Sequence, residues 1–425
     1  MECACELLPD GRVSVMWSPE KSTKRSSEQS GVPLIGSVGR GPAGFISRRV
    51  AALTTASIPS RSCPLWDTPP PAPNSEVKPT PFACIAKEVF EADPLFLAGT
   101  FWEKVLAGEP QPSSLNLAAW IRGHHTHCHR CAHSASLRDF NVNAISDREL
   151  IERFRDAYAP GCYGARLLAY LRYGYLPALS RPLYPFAVDN YDSIYDQPGA
   201  LEAWSKQRAV PGLLDFSRSP LGVSPLIGAV RFMDVYRSSI DPNFGDPKVR
   251  VCWDGSRHVN SNLVPWPIRY EDFTSITSSL RPNEYYAQLD LKSFYHCLPC
   301  HSTVQPFFGV ADPVTKERGC YLRVPFGLAT APAFASGVSA EAGHIMDARL
   351  ISAGGSVEPQ RNIYLDDYLF RDVTSAATNL GLNNGIQVCK ELGLGVSTSK
   401  LVWATTQTKH LGYVIDSSTQ TVEVS

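Results

Sequence analysis

Three carboxylates stand where a divalent cation could bind them. Asp366 and Asp367 are adjacent within the apolar and aromatic segment "NIYLDDYLF", and Asp290 lies in "YYAQLDLKSF". Two or three convergent carboxylates are the ligands that Mg²⁺ takes from a protein when it keeps room for substrate phosphates. Bound metal would also explain why two like charges are tolerated side by side. Taken alone, each pattern also fits ordinary structure, namely a solvated strand residue for Asp290 and a plain hairpin turn for the Asp-Asp pair.

The local patterns predict the elements that would position these carboxylates. Apolar and polar residues alternate through "AQLDLK", so Asp290 lies on the strand face opposite the leucines. Short aromatic and aliphatic arms flank the Asp-Asp pair and predict a hairpin with the pair at its turn. Between them, Pro332 marks a helix start and Gly354 a helix end. The metal site exists only if Asp290 is a neighbour of the hairpin.

The order of the motifs adds more than any one of them. "LDLKSFYHCLP", "VPFGLATAP", "YLDDYLF", "LGLGVSTSK" and "HLGYVID" follow one another in the chain. This succession resembles the palm of a reverse transcriptase, most closely the retroelement enzymes of the LTR and DIRS-like kinds. Upstream, "KVRVCWDGSRHVN" resembles the family's fingers motif. The resemblance covers roughly residues 216–420 and implies an α+β fold, a right-hand palm of the split βαβ, ferredoxin-like kind, with fingers.

The resemblance also implies roles for individual residues. Asp290 and Asp366 match the carboxylates that hold two Mg²⁺ ions, with Mn²⁺ as the substitute ion. Asp367 completes the expected metal set and matches a position that supports the site and reaches the metal less directly. Lys400 resembles the lysine that protonates the departing pyrophosphate, and it completes the expected catalytic set. Arg250 has the planar geometry for bidentate phosphate contact. The expected dNTP-binding residues are Lys248, Arg250, Tyr295, Phe326 and Gly327, and the expected primer grip is Leu411, Gly412 and Tyr413.

The implied function is RNA-directed DNA polymerase activity of a retrotransposon, with nucleotidyl transfer from dNTP to a primer 3′-hydroxyl. Its partners would be an RNA or DNA template with primer, and dNTP. Residues 216–425 are expected to hold fingers and palm, truncated before a thumb and a ribonuclease H domain. The alternative is a non-catalytic nucleic-acid-binding remnant of a retroelement polyprotein. Metal-dependent hydrolysis has no support beyond the acids themselves.

The preceding residues divide by composition. Residues 1–80 are rich in Ser, Pro, Gly and Arg and are predicted to be a disordered arm. Residues 81–215 carry apolar residues at helical spacing and are predicted to be a helical region of unknown role. Within it, "HHTHCHRCAH" favours either a solvated loop or a zinc site. The candidate zinc ligands are His124, Cys128, Cys131 and His133.

Net charge, cysteine content and hydropathy exclude few classes of protein. The 425 residues carry a formal net charge of −1, so affinity for nucleic acid must come from local basic positions. The twelve cysteines lack a regular framework and are expected to be thiols. No apolar run is long enough to span a bilayer and the amino terminus lacks a signal pattern, so we expect an intracellular protein with no membrane partner. The sequence does not determine the oligomeric state.

Overall fold

A computed structural model describes the greater part of the chain from Phe101 onward, and two short segments before it. The described residues are 2–7, 13–18, 101–128, 141–157, 162–230, 247–266, 280–354 and 360–424, with 234, 235, 238, 268 and 277. Strands β1 (Glu2–Leu7) and β2 (Val13–Ser18), which lie within the arm predicted to be disordered, pair antiparallel. The rest of the predicted arm, and the candidate zinc ligands Cys131 and His133, lie outside the described residues.

Helices dominate the region from 101 to 208, as the apolar spacing predicts. Asn116 caps the second helix by accepting a hydrogen bond from the Ala119 N–H, at 3.2 Å. The helices are α1 (Phe101–Ala107), α2 (Leu117–His127), α3 (Asp147–Ala157), α4 (Tyr163–Tyr173), α5 (Ser193–Asp196) and α6 (Ala200–Arg208).

A mixed sheet crosses the boundary predicted between residues 215 and 216. Its order is β3–β5–β9–β10–β4, and β6 and β7 form a separate antiparallel pair. Because β3 and β4 come from the predicted helical region while β5, β9 and β10 follow it, pairing in this sheet joins the two regions. The strands are β3 (Phe186–Ala187), β4 (Leu214–Asp215), β5 (Gly222–Val223), β6 (Leu226–Val230), β7 (Val249–Trp253), β8 (Tyr285–Asp290), β9 (Gly309–Ala311) and β10 (Arg318–Tyr321).

A four-stranded antiparallel sheet, here called the acidic sheet, carries the three carboxylates. It consists of β8 with β11 (Gln360–Tyr364), β12 (Asp367–Asp372) and β13 (Val402–Thr405), in the order β11–β12–β8–β13. Helix α7 (Ala331–Ser352) follows β8 in the chain, and helix α8 (Ser375–Leu392) connects β12 to β13. The two helices contact each other, and α8 contacts β8, β12 and β13. The α+β fold class is therefore confirmed, and the detailed palm and fingers arrangement stays a prediction.

The described carboxyl-terminal strands form a further sheet with the amino-terminal hairpin. They are β14 (Gln407–His410), β15 (Tyr413–Asp416) and β16 (Thr421–Val424), in the order β1–β2–β16–β15–β14. The Gln288 side-chain amide donates to the Lys409 carbonyl at 2.8 Å, which links β14 to the acidic sheet. Within the described part of the chain, no helix has the length and apolar character needed to cross a membrane.

One hydrophobic core contains residues from both the helical region and the acidic sheet. The rings of Tyr175 and Phe334 stack with centroids 4.6 Å apart and planes 9° apart. The Leu392 carbonyl at the end of α8 accepts from the Asn116 N–H and from the Trp120 indole, each at 3.0 Å. The helical region thus packs directly on the elements that carry the carboxylates. Large buried members of this core include Trp120, Leu168, Tyr170, Trp204, Trp253, Leu289, Phe308, Tyr321 and Tyr368.

Candidate active site

The pairing of β8 with β12 brings the three carboxylates together. Asp290 and Asp367 are direct partners in the antiparallel register. The Leu291 N–H donates to the Asp366 carbonyl at 2.9 Å, so the end of β8 is also tied to the hairpin turn. The condition set by the sequence, that Asp290 be a neighbour of the Asp-Asp pair, is met. The structure shows this proximity, and the metal and catalytic roles of the carboxylates stay predictions.

The hairpin turn differs in detail from the sequence expectation. Its central residues are Leu365 and Asp366, while Asp367 already pairs with Tyr364 as the first residue of β12. The positive φ of the turn, +56°, falls on Leu365 and not on an aspartate. A branched apolar residue in that region is strained and needs support from its surroundings. Helix α7 supplies it, because the Ser339 hydroxyl donates to the Leu365 carbonyl.

The position of Ser339 is itself fixed by the hairpin. The Tyr368 hydroxyl donates to the Ser339 carbonyl at 2.9 Å, and Tyr368 is completely buried. The turn and the helix therefore hold each other by two hydrogen bonds. Sequence reasoning missed Ser339, because a serine within a helix gives no sign of its distant partner.

The charges of the carboxylates oppose one another in a partly dehydrated site. Burial, followed by the charges of Asp366 and Asp290, raises the pKa of Asp367 to about 6. Burial and the charge of Asp290 also raise the pKa of Asp366, against which the cations of Lys400 and Arg250 act. A hard divalent cation removes both costs, since it replaces lost water and neutralises the repulsion. The donor set of Asp290, Asp366 and Asp367 therefore fits Mg²⁺ or Mn²⁺.

Lys400 lies at this cluster, as the resemblance implies. It ends a 3₁₀ turn, Thr398–Lys400, and its Nζ is 2.6 and 2.8 Å from the two carboxylate oxygens of Asp290. The Ser397 N–H donates to the Asp290 carbonyl at 2.9 Å and fixes the start of this turn. The Lys400 side chain is 61% exposed, whereas that of Asp290 is 10% exposed. The ammonium is thus anchored on one side and open to a ligand on the other.

The segment around Gly327 is pinned against β7. Gly327 has φ +118°, and a Cβ there would lie 1.8 Å from the Trp253 carbonyl oxygen, so only glycine fits. The Phe326 carbonyl accepts from the Trp253 N–H at 2.8 Å. Asn260 donates from Nδ2 to the Gly327 carbonyl at 2.8 Å and accepts from the Ala329 N–H at 2.9 Å. Asn260 is a positioning residue of this loop, and its place in "SRHVN" was the only sequence signal for it.

The remaining nucleotide-binding candidates lie near this loop or near the carboxylates. Tyr295 lies in the 3₁₀ turn Phe294–Cys297, and its ring meets the Phe326 ring edge to face at 5.0 Å. Arg250 is exposed on β7 and its charge reaches Asp366, where it lowers the carboxyl pKa. Lys248 is exposed, just before β7. The dNTP-binding roles of these residues stay predictions.

The expected primer grip is the turn between β14 and β15. Leu411 and Gly412 have φ +50° and +87°, the two consecutive positive values of a type I′ hairpin turn, and Tyr413 begins β15. Gly412 is exposed with open space around it. The structure thus presents these residues as a hairpin tip, and contact with primer stays a prediction.

Two of the four candidate zinc ligands are described. His124 and Cys128 lie close to each other at the end of α2, and together with Cys162 their ligand atoms fall within 4.8 Å of one another. Sequence reasoning missed Cys162, because 34 residues separate it from Cys128 and only the packing of α4 on α2 brings it there.

Comparison with known proteins assigns the segment that holds the acidic site. Residues 242–415 match the family model described as reverse transcriptase (RNA-dependent DNA polymerase). This region is thus a reverse transcriptase domain, and the family resemblance of the motifs is confirmed. The LTR or DIRS-like subtype stays a prediction. No curated protein matches the chain.

Solved structures show partial similarity. The native prototype foamy virus protease–reverse transcriptase is 16% identical with a TM-score of 0.39, over 55% of this chain and 28% of that one. A foamy viral protease–reverse transcriptase with double-stranded DNA is 14% identical with a TM-score of 0.41, over 64% and 52%. The same protein with an RNA/DNA hybrid is 15% identical with a TM-score of 0.39, over 64% and 34%. The chain spans about half or less of these proteins, and the assignment of the segment rests on the family model.

Proposed function

We propose that this protein is an RNA-directed DNA polymerase of a retrotransposon, which transfers nucleotides from dNTP to a primer 3′-hydroxyl. The observation that carries the proposal is the convergence of Asp290, Asp366 and Asp367 at the meeting of β8 and β12, within a segment that matches the reverse transcriptase family. A hairpin turn alone would not need a third carboxylate opposite it. The partners proposed are an RNA or DNA template with primer, and dNTP.

Two bound Mg²⁺ ions, held by the three carboxylates, would supply the charge that activates the primer hydroxyl and steadies the triphosphate. Arg250 is exposed and lies within electrostatic reach of Asp366, so it would bind triphosphate oxygens beside the carboxylates. Tyr295 and Phe326, whose rings meet edge to face, would contact the sugar and base of the nucleotide. Fixed groups of this kind lower the barrier because they are ordered before the reaction begins.

Lys400 would act on the leaving group. Its ammonium contacts the Asp290 carboxylate through one side and is otherwise exposed, so it can donate a proton from Nζ to an oxygen of the departing pyrophosphate. Contact with Asp290 restrains the flexible side chain before the nucleotide arrives. In this assignment Lys400 is a general acid and Asp290 is both a metal ligand and the anchor of that acid.

Primer extension on an RNA template tests the proposal. The wild-type chain and Asp366→Asn are compared with Mg²⁺ or Mn²⁺ at equal folded concentration, because Asn keeps the size of the side chain and removes its charge. We expect Asp366→Asn to lose extension by about 10²-fold or more, since metal ligation contributes several kcal/mol. Asp372→Asn is the matched control, because Asp372 lies at the opposite end of β12 and should leave extension unchanged.

Binding of the same primer–template distinguishes the polymerase hypothesis from the hypothesis of a non-catalytic remnant. Extension that disappears in Asp366→Asn while binding persists supports the polymerase. Binding without extension by the wild-type chain supports the non-catalytic remnant. Equal extension by the wild-type chain and by Asp366→Asn would contradict the assigned role of this carboxylate.

A further inference from the structure

A second cluster of metal-ligating side chains lies outside the acidic site, where α2, α4 and α7 meet. The Cys162 Sγ is 3.4 Å from the His124 Nε2 and 3.4 Å from the Cys128 Sγ. His124 and Cys162 are buried, and Cys128 is half-buried. The reverse transcriptase assignment gives this cluster no role.

Local structure explains why these three side chains meet. His124 and Cys128 are four residues apart, so they lie on the same face at the end of α2. The Cys128 N–H donates to the His124 carbonyl at 3.0 Å and holds that last turn. Cys162 is the residue that precedes α4, and its side chain forms no capping bond to that helix, so its thiol is directed to the cluster. Close packing of α2 and α4 then brings the two cysteines together.

The other nitrogen of His124 has a partner of the kind that metal-binding histidines use. His124 Nδ1 is 2.7 Å from Glu341 Oε1, and His127 Nε2 is 2.7 Å from the same oxygen. A proton on Nδ1 of His124 would be donated to this carboxylate, which leaves the Nε2 lone pair facing the two sulfurs. A carboxylate behind a histidine in this way fixes the tautomer and raises the basicity of a zinc ligand. Glu341 is only 5% exposed.

The geometry and donor atoms of the cluster favour a zinc site over a disulfide or a Mg²⁺ site. A disulfide requires a sulfur separation of about 2.05 Å, well below the 3.4 Å between Cys128 and Cys162. A tetrahedral zinc ion with bonds of about 2.3 Å to sulfur and about 2.0 Å to nitrogen places its ligands about 3.5 to 3.8 Å apart. The observed separations need to widen by only a few tenths of an ångström. Two thiolates and an imidazole are also the donors that zinc prefers over Mg²⁺.

We propose that His124, Cys128 and Cys162 are three ligands of a structural zinc site that joins α2 to α4 and, through Glu341, to α7. A fourth ligand from outside this set completes the tetrahedron. Gly164 makes the close approach possible, because a Cβ at that position would lie 2.3 Å from His124 Cε1 and 2.9 Å from Glu341 Oε2. The site is thus assembled only when the three helices are packed.

This zinc site would support the acidic site through α7. Glu341 lies two residues after Ser339, whose hydroxyl holds the strained Leu365 turn next to Asp366. Metal at the junction would fix this part of α7 against α2. It thereby gives the helical region a structural role beside the reverse transcriptase domain.

Metal binding by the full-length chain tests the proposal directly. The chain is purified with a thiol reductant, stripped with a chelator, and titrated with zinc alone, and bound zinc is then measured by elemental mass spectrometry. We expect about one tightly bound zinc ion per chain, lost in Cys162→Ser and retained in Cys252→Ser. Cys252 is a matched control because it is half-buried and unpaired on β7. Equal zinc content in the two variants would overturn the proposal.

Cobalt substitution identifies the ligands. Co²⁺ at the proposed site should show a thiolate charge-transfer band, weaker in Cys128→Ser. Glu341→Gln should weaken zinc binding about 10-fold or more while the band remains, because Glu341 orients a ligand without binding the metal. Cobalt binding without a thiolate band would place the ion on His124, His127 and Glu341 instead and refute the assignment. A Cys128–Cys162 disulfide that mass spectrometry finds in the folded chain after purification with the thiol reductant would do the same.

Thermal unfolding keeps the test decisive if Cys162→Ser does not fold. The stripped wild-type chain should unfold at a lower temperature than the same chain with zinc, since a ligand of the native state stabilises it. Cys252→Ser should show the same rise with zinc. No zinc-dependent rise in the wild-type chain would count against the site.

Discussion

Asp290, Asp367 and Lys400 show how neighbouring residues change each other's chemistry. The two carboxyl groups face each other across a strand pair, and burial with mutual repulsion raises the pKa of Asp367 to about 6. Lys400 contacts both oxygens of Asp290 and supplies a compensating charge from the solvent side. A set of groups arranged in this way is poised to take a divalent cation. It also places a proton donor within reach of the same ligands.

At this scale, Lys400→Met tests the proposed general acid. Met keeps much of the length of the side chain and removes the proton, so we expect kcat for primer extension to fall about 10²-fold with little change in the KM for dNTP. Lys390→Met, on an exposed part of α8, should leave kcat unchanged. An unaltered kcat in Lys400→Met would remove Lys400 from the mechanism.

At the scale of secondary-structure elements, two contacts position the loops of the candidate site. The hairpin between β11 and β12 is held in its strained turn by α7 through Ser339. The segment of Phe326 and Gly327 is held against β7, with Asn260 bonded to both sides of it. Each contact joins elements that are far apart in the chain. The positions of these two loops therefore depend on how α7 and β7 pack against them.

Gly327→Ala tests the second of these contacts. A Cβ at Gly327 meets the Trp253 carbonyl at 1.8 Å, and the positive φ adds strain, so we expect a loss of about 1 to 3 kcal/mol in the free energy of unfolding. Gly354→Ala is the matched control, because Gly354 also has positive φ, +78°, but no atom lies within 4 Å of its Cβ. The difference between the two variants in the free energy of unfolding, measured by denaturant titration, reports the cost of the steric clash with the Trp253 carbonyl. Equal destabilisation of the two variants would show that the Trp253 backbone moves away from the added Cβ without a loss of stability.

At the scale of the whole molecule, a hydrophobic core shared by the helical region and the acidic sheet joins these two parts of the chain. Trp120 and Asn116 donate to the last carbonyl of α8, and Tyr175 stacks on Phe334 of α7. Sheet pairing adds β3 and β4 to strands that follow residue 216. The reverse transcriptase segment is therefore packed against residues that its family motifs do not include.

Removal of the helical region should unfold what remains. A chain of residues 216–425 alone loses strands β1 to β4 and the helices that include Trp120, and it exposes apolar core on α7 and α8. We expect this fragment to be aggregated or to lack a cooperative thermal transition, because the lost burial is worth about 25 cal/mol per Å². Size-exclusion chromatography and a thermal melt, each compared with the full-length chain, are the measurements. A monodisperse fragment with a cooperative melt would show that the reverse transcriptase segment folds independently.

Buried histidines make the stability of the molecule depend on pH. Burial lowers the pKa of His296, His301 and His410 to about 4 each, whereas an unfolded histidine has a pKa of about 6.5. Between these values the unfolded chain binds more protons, so stability is complete above about pH 6.5 and falls as pH falls toward 4. At pH 5 each histidine should cost about 2 kcal/mol.

His410→Leu isolates one of these contributions. Denaturant titrations at pH 7.5 and pH 5 should show a smaller loss of stability in His410→Leu than in the wild-type chain, by about 2 kcal/mol. Buried Arg371 adds to the lowering of the His410 pKa and is unchanged in the variant. Carboxylates contribute equally to both chains, so the difference between the two is the measured quantity. The same loss in both would mean that His410 is protonated in the folded protein.

The sequence by itself predicted the candidate site residues and much of the local structure around them. Ordered motifs identified Asp290, Asp366 and Asp367, and alternation and helix signals predicted β8 and α7. These features are local, because strand alternation, glycine conformation and helix starts depend on neighbouring residues. The expectation that Lys400 lies close to Asp290 came from the family resemblance and not from the spacing of residues in the sequence.

Only the tertiary structure decided which distant residues act together. It placed the positive φ of the hairpin on Leu365, paired that turn with Ser339, and bonded Asn260 to the Gly327 loop. It also brought Cys162 close to His124 and Cys128, two of the candidate zinc ligands. Contacts of this kind depend on the packing of whole helices and sheets, where burial and shape select partners far apart in the chain. No local pattern encodes that selection, because each residue type at those positions is equally consistent with many partners.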